Sequence, residues 1–257
     1  MSVFEMWTAF LTIVTKEVRR YLRIWPQTLL PPAITMSLYF VIFGALIGSR
    51  IGEMGGFSYM QFVVPGLIMM AVVTNSYSNT VSSFFGTKYN HSLEELLVSP
   101  TPNWIILAGY VVGSVSRGLL VAVIVTCLSL FFSELRIQHV GVTMLFVLLT
   151  SILFSLFGFI NAVYANSFDD ISIVPTFILT PLIYLGGVFY SLDLLPDFWA
   201  GVSRLNPLVY VVNGFRYGVL GVSDVNVGVA LGMICLFTVV SLAFCLRLLH
   251  TGTRLRD

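Results

Sequence analysis

The chain has 257 residues, of which 57% are hydrophobic and 10% are charged, and its mean hydropathy is +0.94. A soluble domain of this size carries about 25% charged residues, so the composition excludes a water-soluble fold and indicates a protein embedded in lipid. The net charge of +1 excludes the clustered excess of Lys and Arg that nucleic-acid binding requires, so no nucleic-acid partner is expected.

Residues 1–25 predict an amphipathic helix that lies on the cytoplasmic surface of the membrane. Apolar residues recur in steps of three and four, while polar and basic residues occupy the other faces. Packing of this helix against a partner protein is the alternative. The apolar stripe consists of Phe4, Trp7, Leu11, Val14, Val18, Leu22 and Trp25.

Uncharged stretches long enough to cross about 30 Å of hydrocarbon predict six membrane-spanning helices. Their predicted ranges are 28–48, 59–84, 110–132, 140–164, 172–190 and 225–247. Arg117 interrupts the third apolar stretch, which is too long for one straight span. We expect one tilted helix, with residues 103–109 as its cytoplasmic run-in and Arg117 extending to the lipid headgroups. Two spans with a turn at Arg117 and Gly118 are the alternative.

The charges at the two ends of the chain predict that both termini are cytoplasmic. An even number of spans places both ends on one side, and basic residues concentrate on the cytoplasmic side of membrane proteins. The basic residues expected inside are Lys16, Arg19, Arg20, Arg23, Lys88, Arg247, Arg254 and Arg256, and those expected outside are Arg50, Arg136, Arg204 and Arg216. The expected location is the inner (plasma) membrane. No role is predicted for Asp169 and Asp170.

Residues 86–103 form a predicted cytoplasmic loop that contains a short helix over Leu93–Val98. Ser92 stands three residues before Glu95, which is the pattern of a capping box at a helix start, and Pro100 ends the helix. A simple connector is the alternative. The helix would present an apolar face of Leu93, Leu96 and Leu97 and an acidic face of Glu94 and Glu95.

Residues 191–222, between the fifth and sixth spans, are divided by charges, prolines and glycines, so that no piece of this region crosses the bilayer. The region is nevertheless too apolar and aromatic for a solvated loop. Short extracellular re-entrant helices reconcile both observations, provided that their backbone is buried in protein or lines a watery cavity.

Two segments together resemble the permeases of type-2 ABC exporters. The first is similar to that family's cytoplasmic motif and reads Gly86-Thr87, then Leu93-Glu94-Glu95-Leu96-Leu97-Val98-Ser99-Pro100. The second is similar to its C-terminal signature and reads Gly186-Gly187-Val188-Phe189, Leu194-Leu195-Pro196 and Leu205-Asn206-Pro207-Leu208-Val209-Tyr210, leading to Arg216. Val209 departs from the threonine that is often found there.

The resemblance implies an all-α permease that forms a single domain over residues 1–257 and works as a homodimer with two copies of a cytoplasmic ABC ATPase. Leu93–Val98 would be the coupling helix that contacts the ATPase. Asn206, Pro207, Tyr210 and Arg216 would belong to the re-entrant gate. The resemblance also implies export, and polysaccharides, drugs and lipids are all substrates open to the family. The apolar, aromatic core favours a hydrophobic or amphipathic substrate, such as a drug, a lipid or a lipid-linked glycan.

Catalytic and cofactor motifs are missing from the sequence. Because there is no P-loop pattern, ATP is expected to bind to the partner subunit, and no cofactor or catalytic residue is predicted in this chain. The spacing of the histidines and cysteines predicts no metal site. No acidic residue falls in a predicted span, which disfavours a proton- or sodium-coupled carrier. An ATP-independent carrier or channel and a membrane-embedded enzyme are the alternatives.

Overall fold

The computed structural model describes residues 1–252 and 254, most of which are helical. In chain order the α-helices are α1 (Val3–Arg23), α2 (Trp25–Thr28), α3 (Leu30–Phe40), α4 (Ser49–Ile51), α5 (Tyr59–Tyr89), α6 (Ser92–Val98), α7 (Asn103–Ser129), α8 (Val140–Tyr164), α9 (Asp170–Val174), α10 (Thr180–Tyr184), α11 (Asp197–Arg204), α12 (Pro207–Leu220) and α13 (Val227–Thr251). The π-helical turns Val41–Gly48 and Pro175–Leu179 join α3 to α4 and α9 to α10. Arg256, one of the basic residues expected inside, lies outside the described residues.

Five helical stretches within residues 1–252 and 254 are long and apolar enough to cross a membrane. They are Trp25–Gly48, Tyr59–Tyr89, Asn103–Ser129, Val140–Tyr164 and Val227–Thr251. The chain is therefore a polytopic, mostly helical membrane protein. Helix α7 continues through Arg117 and Gly118 and begins at Asn103, so the third apolar stretch is one helix without a separate run-in.

The region predicted as the fifth span, residues 172–190, contains a shorter helix. Its helical part is Asp170–Tyr184, which is about 22 Å long at 1.5 Å per residue. Beyond Tyr184 the chain turns, with the Gly186 N–H donating to the Ile183 carbonyl at 3.1 Å. Gly187 follows this turn with a φ of +72°, a conformation that glycine adopts readily.

A short β-hairpin, which the all-α prediction did not include, precedes α5. Strands β1 (Glu53–Met54) and β2 (Phe57–Ser58) are antiparallel, with Met54 paired to Phe57. The two residues between them, Gly55 and Gly56, have φ values of +61° and +81°, as a two-residue hairpin turn requires. Ser58 then caps α5, because its hydroxyl accepts a hydrogen bond from the Gln61 N–H at 3.3 Å.

Helix α5 is the centre of the fold, with most of its side chains buried, and it packs against α3, α7, α8 and α12. Helix α8 approaches closely because Gly158 faces the Tyr77 carbonyl, where a Cβ would lie 2.5 Å from the oxygen. Gly66 allows an equally close contact with Val188, whose oxygen would lie 2.7 Å from an added Cβ. We call the end of the bundle at Tyr89 the α6 end, and the end at Tyr59 the hairpin end.

Candidate functional site

Helix α6 is anchored at the α6 end by its own apolar side chains. Leu93 is 1% exposed, and Leu96 and Leu97 pack against the core. Three of the six predicted coupling residues, Leu93, Leu96 and Leu97, therefore pack against the core of this chain. The exposed residues of α6 are Ser92, Glu94, Glu95 and Val98, with Val98 86% exposed.

The predicted capping box at Ser92 is wrong. His91 is the N-cap, with a left-handed backbone (φ 56°), and within the described residues no side chain caps α6. Ser92 is already the first helical residue, and its hydroxyl donates to the Asn90 carbonyl at 3.5 Å. Because only Asn90 and His91 separate α5 from α6, the turn is too tight for Ser92 to stand outside the helix.

The connection after α8 is fixed beside α6. Lys88 Nζ donates to the carbonyls of Val163 and Ala165 at 2.9 and 3.0 Å, which satisfies the last carbonyls of α8 with a cation. The Asp170 carboxylate accepts from the N–H groups of Asn166 and Ser167 at 2.9 and 3.1 Å. These hydrogen bonds lower the pKa of Asp170. Asp170 thus closes a loop for which the sequence suggested no role.

Helix α1 packs on α7 through two glycines. A Cβ at Gly109 would lie 2.5 Å from Ile13 Cγ2, and a Cβ at Gly113 would overlap the Glu17 side chain. Gly109 and Gly113 therefore allow α1 to approach α7 closely. The apolar stripe of α1 faces away from the bundle, with Phe4 78% exposed.

We expect Gly113→Leu to separate α1 from α7, because the new side chain would occupy the space of Glu17. Backbone amides of α1 should then exchange with deuterium about tenfold faster. Gly86→Leu is the matched control, since an added Cβ at Gly86 meets open space. Unchanged exchange in a well-inserted Gly113→Leu protein would contradict this contact.

A buried polar cluster joins α1 to α5 and α7. Glu17 is 0% exposed and accepts from the Ser83 hydroxyl at 2.6 Å and from Arg20 Nη2 at 3.3 Å. Arg20 Nη2 also donates to Asn79 Oδ1 at 2.9 Å, and Asn79 Nδ2 donates to Ser114 Oγ at 2.9 Å. We call these five residues the α1 clasp. The clasp was not predicted from the sequence, although Glu17, an acid between the basic residues Lys16 and Arg19, was a visible signal.

Arg117 is buried, so the prediction that it extends to the lipid headgroups is wrong. It is 8% exposed, and its Nη2 donates to Asn75 Oδ1 at 2.9 Å and to the Thr28 carbonyl at 3.1 Å. The residue four positions after Thr28 is Pro32, which has no N–H to offer that carbonyl. Arg117 supplies the missing donor from inside the bundle.

The part of the second signature segment from Asn206 to Tyr210 lies at the start of α12. Asn206 is its N-cap, accepting from the Leu208 N–H at 3.0 Å through Oδ1 and donating to the Leu182 carbonyl at 2.6 Å through Nδ2. Pro207 occupies the first helical position, where the missing N–H costs nothing. Tyr210 Oη donates to the Arg204 carbonyl at 2.6 Å. These bonds fix α12 to α10 and α11.

Arg216, at the end of the second signature segment, contacts Gly187 at the start of the same segment. Its side chain is 0% exposed, and the guanidinium lies 3.8 Å from the centre of the Phe62 ring. Nη2 donates to the Gly187 carbonyl at 2.7 Å, and Nε donates to the Phe62 carbonyl at 3.4 Å. The turn at Gly187 is therefore held between α12 and α5.

A family model described as ABC-2 type transporter matches residues 8–220, from α1 to the end of α12. The chain belongs to the ABC-2 type transporter family. The resemblance predicted from its two motifs is thereby confirmed. Both α6 and the Arg216 contacts lie within the part that matches this family.

Curated relatives cover most of the chain. It is 57% identical over 251 residues to Inner membrane transport permease YadH of Escherichia coli (strain K12), covering 98% of each protein. It is 24% identical over 208 residues to Nodulation protein J of Rhizobium leguminosarum bv. viciae, covering 79% of each. With Nodulation protein J of Rhizobium meliloti (strain 1021), the identity is 25% over 210 residues.

Proposed function

We propose that this chain is the permease subunit of an ATP-driven exporter, which moves a hydrophobic or amphipathic substrate out of the cytoplasm. Drugs, lipids and lipid-linked glycans are the candidate substrates, and a separate subunit hydrolyses the ATP. Helix α6 carries the proposal, because it presents two acidic residues outward while its apolar side is anchored in the core. The description of YadH as an inner membrane transport permease supports the same function and location.

The exposed face of α6 suits a soluble partner that pushes on the membrane bundle. A turn of two residues joins α6 to α5, and Leu93 is buried against the core. A displacement of α6 therefore moves the central helix instead of bending a loose loop. We infer that a homodimer of this chain binds two copies of a cytoplasmic ABC ATPase, one at each α6.

Six crossings are supported by the two ends of the segment around α9 and α10. Phe168 contacts the rings of Phe85 and Tyr89 at the α6 end, with centroids 5.0 and 4.9 Å apart. The Phe189 carbonyl accepts from Tyr59 Oη at 3.2 Å at the hairpin end. Tyr59 and Phe85 are separated by about 40 Å along α5. These contacts support a segment that traverses the bundle despite its short helix, and α11 and α12 are the proposed re-entrant helices.

Both termini are proposed to be cytoplasmic, in the inner membrane. Helix α1 packs on the first half of α7, and Arg254 lies 5.5 Å from the ring of Tyr164 at the end of α8. These contacts support both ends of the chain lying at the α6 end. The basic residues of α1 would then face the cytoplasm, as the positive-inside rule expects.

The double substitution Glu94→Ala and Glu95→Ala tests this function. Export into inverted vesicles, driven by the co-purifying ATPase, should fall at least about tenfold, because each contact between charged partners contributes about 1.5–3 kcal/mol. Membrane insertion should be unchanged, since both side chains are exposed.

The matched control is Glu53→Ala with Glu134→Ala, two exposed acids placed toward the hairpin end. Undiminished export by the Glu94 and Glu95 double variant would refute coupling through α6. Flux through the purified chain without any ATPase would instead indicate an ATP-independent carrier or channel.

A further inference from the structure

A shallow cavity of about 420 Å³ lies on the exposed face of α1, which points away from the bundle. Sites for small molecules have volumes of about 300–1,000 Å³. Two of the residues that line the cavity are cations, and no acid of the described residues borders it. Arg23, one turn beyond Arg19, extends the row of cations along the same helix. The lining residues are Thr8, Leu11, Thr12, Thr15, Lys16 and Arg19.

The cations at this cavity have no anionic partner among residues 1–252 and 254. Arg19 and Arg23 are exposed, and their side chains make no hydrogen bond or ion pair within the described part of the chain. Lys16 Nζ donates only to two neutral hydroxyl oxygens, both at 3.4 Å. The neighbouring acid Glu17 is buried and pairs with Arg20. The surface of α1 therefore carries an excess of positive charge.

The cavity lies at the level of the lipid headgroups along the bundle. Helix α5 has 31 residues and is about 46 Å long, whereas the hydrocarbon of a membrane is about 30 Å thick. Counted from Tyr59, about 30 Å of α5 ends near Asn79, which accepts a hydrogen bond from Arg20 at 2.9 Å. Lys16 contacts Thr87, about 12 Å further toward the α6 end. The cavity thus stands at the edge of the hydrocarbon, in the layer that contains lipid phosphates.

An exposed apolar surface runs beside these cations. Leu11 lines the cavity, and Trp7, Leu22 and Trp25 are also exposed on α1 and just after it. Tryptophan is enriched at the boundary between hydrocarbon and headgroups. Trp25 begins the first helical stretch that is long enough to span a membrane. Clusters of about four to eight Lys and Arg directly beside such a stretch are typical of sites for anionic lipids, and α1 has four in residues 16–23.

The acidic residues of α1 and α6 lie apart from this cavity. Glu5, in the first turn of α1, lines a separate cavity together with Glu95 of α6. The charges along α1 are therefore divided, with an exposed acid beside α6 and cations beside the first span. A protein that binds the acidic surface of α6 would not be complementary to these cations, whereas a lipid phosphate is.

We propose that this cavity binds the phosphate of an anionic phospholipid from the leaflet at the α6 end. Lys16 and Arg19 bind the phosphate oxygens, because an ammonium group and a planar guanidinium both donate to phosphate. The acyl chains lie along the apolar surface that begins at Leu11. The inference goes beyond the proposed function and does not depend on it, because lipid binding requires neither ATP nor an exported substrate.

Native mass spectrometry of the purified full chain in detergent tests this inference. The probes are dioleoylphosphatidylglycerol and dioleoylphosphatidylcholine, which have the same acyl chains and differ in net charge. The parent chain should bind the first molecule of phosphatidylglycerol at least about fivefold more tightly. Lys16→Gln with Arg19→Gln should weaken that binding about 5- to 30-fold, as expected for the loss of two cations at a membrane surface.

Arg50→Gln with Arg136→Gln is the matched control, since it removes two exposed cations toward the hairpin end. It should leave the binding of phosphatidylglycerol nearly unchanged. Lys16→Arg with Arg19→Lys keeps both charges and should retain binding, which separates loss of charge from misfolding of α1. Equal weakening by the two neutralising pairs would overturn the proposal, because binding would then follow net charge alone. Equal binding of the two lipids by the parent chain would also overturn it.

Two further measurements distinguish the lipid from other anionic partners. Inorganic phosphate in large excess should not displace phosphatidylglycerol, because it lacks acyl chains; complete displacement would replace the lipid with a free anion. Loss of the co-purifying ATPase from the Lys16 and Arg19 double variant, with lipid binding unchanged, would assign the cations to a protein partner instead. Lipid binding is measured without export, so a chain that binds phosphatidylglycerol but exports nothing would refute the exporter and retain the lipid site.

Discussion

Replacing Arg216 with alanine is expected to lower the free energy of unfolding by about 3–5 kcal/mol. The guanidinium is 0% exposed, stacks on the Phe62 ring at 3.8 Å and donates to the Gly187 carbonyl at 2.7 Å. Its removal leaves that carbonyl buried without its donor and opens a void beside α5. The turn at Gly187 should then detach from α12.

Thermal unfolding in detergent measures this effect. For a chain of this length, about 3–5 kcal/mol corresponds to a decrease of about 6–20 °C in Tm. Arg216→Lys should give an intermediate value, because an ammonium group keeps the charge but cannot reach both carbonyls and the ring together. Arg204→Ala is the control, since Arg204 is exposed. A Tm for Arg216→Ala equal to that of Arg204→Ala would contradict the structural role of Arg216.

Glu17→Ala should release α1 from the bundle. Glu17 is 0% exposed and accepts hydrogen bonds from Ser83 and Arg20. Without it, the Ser83 hydroxyl loses its charged partner and the Arg20 side chain, 28% exposed, turns toward water. We expect a loss of about 1–3 kcal/mol, which makes opening of α1 about 5- to 150-fold more frequent.

Tryptic cleavage after Lys16 and Arg19 provides the measurement, because both peptide bonds lie within α1 and are cut only when it opens. Glu17→Ala should be cut faster by the same factor, and Glu17→Gln should lie between the two, since an amide oxygen still accepts from Ser83. Thr15→Ala, at an exposed position of the same helix, serves as the control. Equal cleavage rates for the parent and Glu17→Ala would show that the α1 clasp does not hold the helix.

Hydropathy and helical periodicity were sufficient to predict most of the helices. Length and apolar content determine that Tyr59–Tyr89 or Val140–Tyr164 is a membrane helix, whatever it packs against. The short helix α6 was predicted over Leu93–Val98, and its apolar side is the side that the core holds. The second signature segment was identified from its residues, but the contact between its two ends, Arg216 and Gly187, depends on the fold.

The sequence did not predict the burial of Arg117, because its hydrogen-bond acceptors are oxygen atoms of residues that are distant in the sequence. Arg117 was expected to extend to lipid because a single span offers it no partner, whereas Asn75 and the Thr28 carbonyl come from other helices. The β-hairpin was missed because each strand has two residues, too few for a recognisable alternation. The helix in the fifth span ends at Tyr184, where the chain turns through Leu185 and Gly186, and glycine in a span does not by itself predict a turn.

A cross-link from α6 to the ATPase most directly tests whether this chain is driven by ATP through that helix. Val98→Cys, 86% exposed, is introduced into a chain whose native Cys127, Cys235 and Cys245 are replaced by alanine, and Leu205→Cys, 81% exposed on the opposite side, is the control. A short bifunctional maleimide should join Val98→Cys to the co-purifying ATPase and leave Leu205→Cys unlinked. An intact complex in which Val98→Cys gives no cross-linked product would contradict ATP coupling through α6.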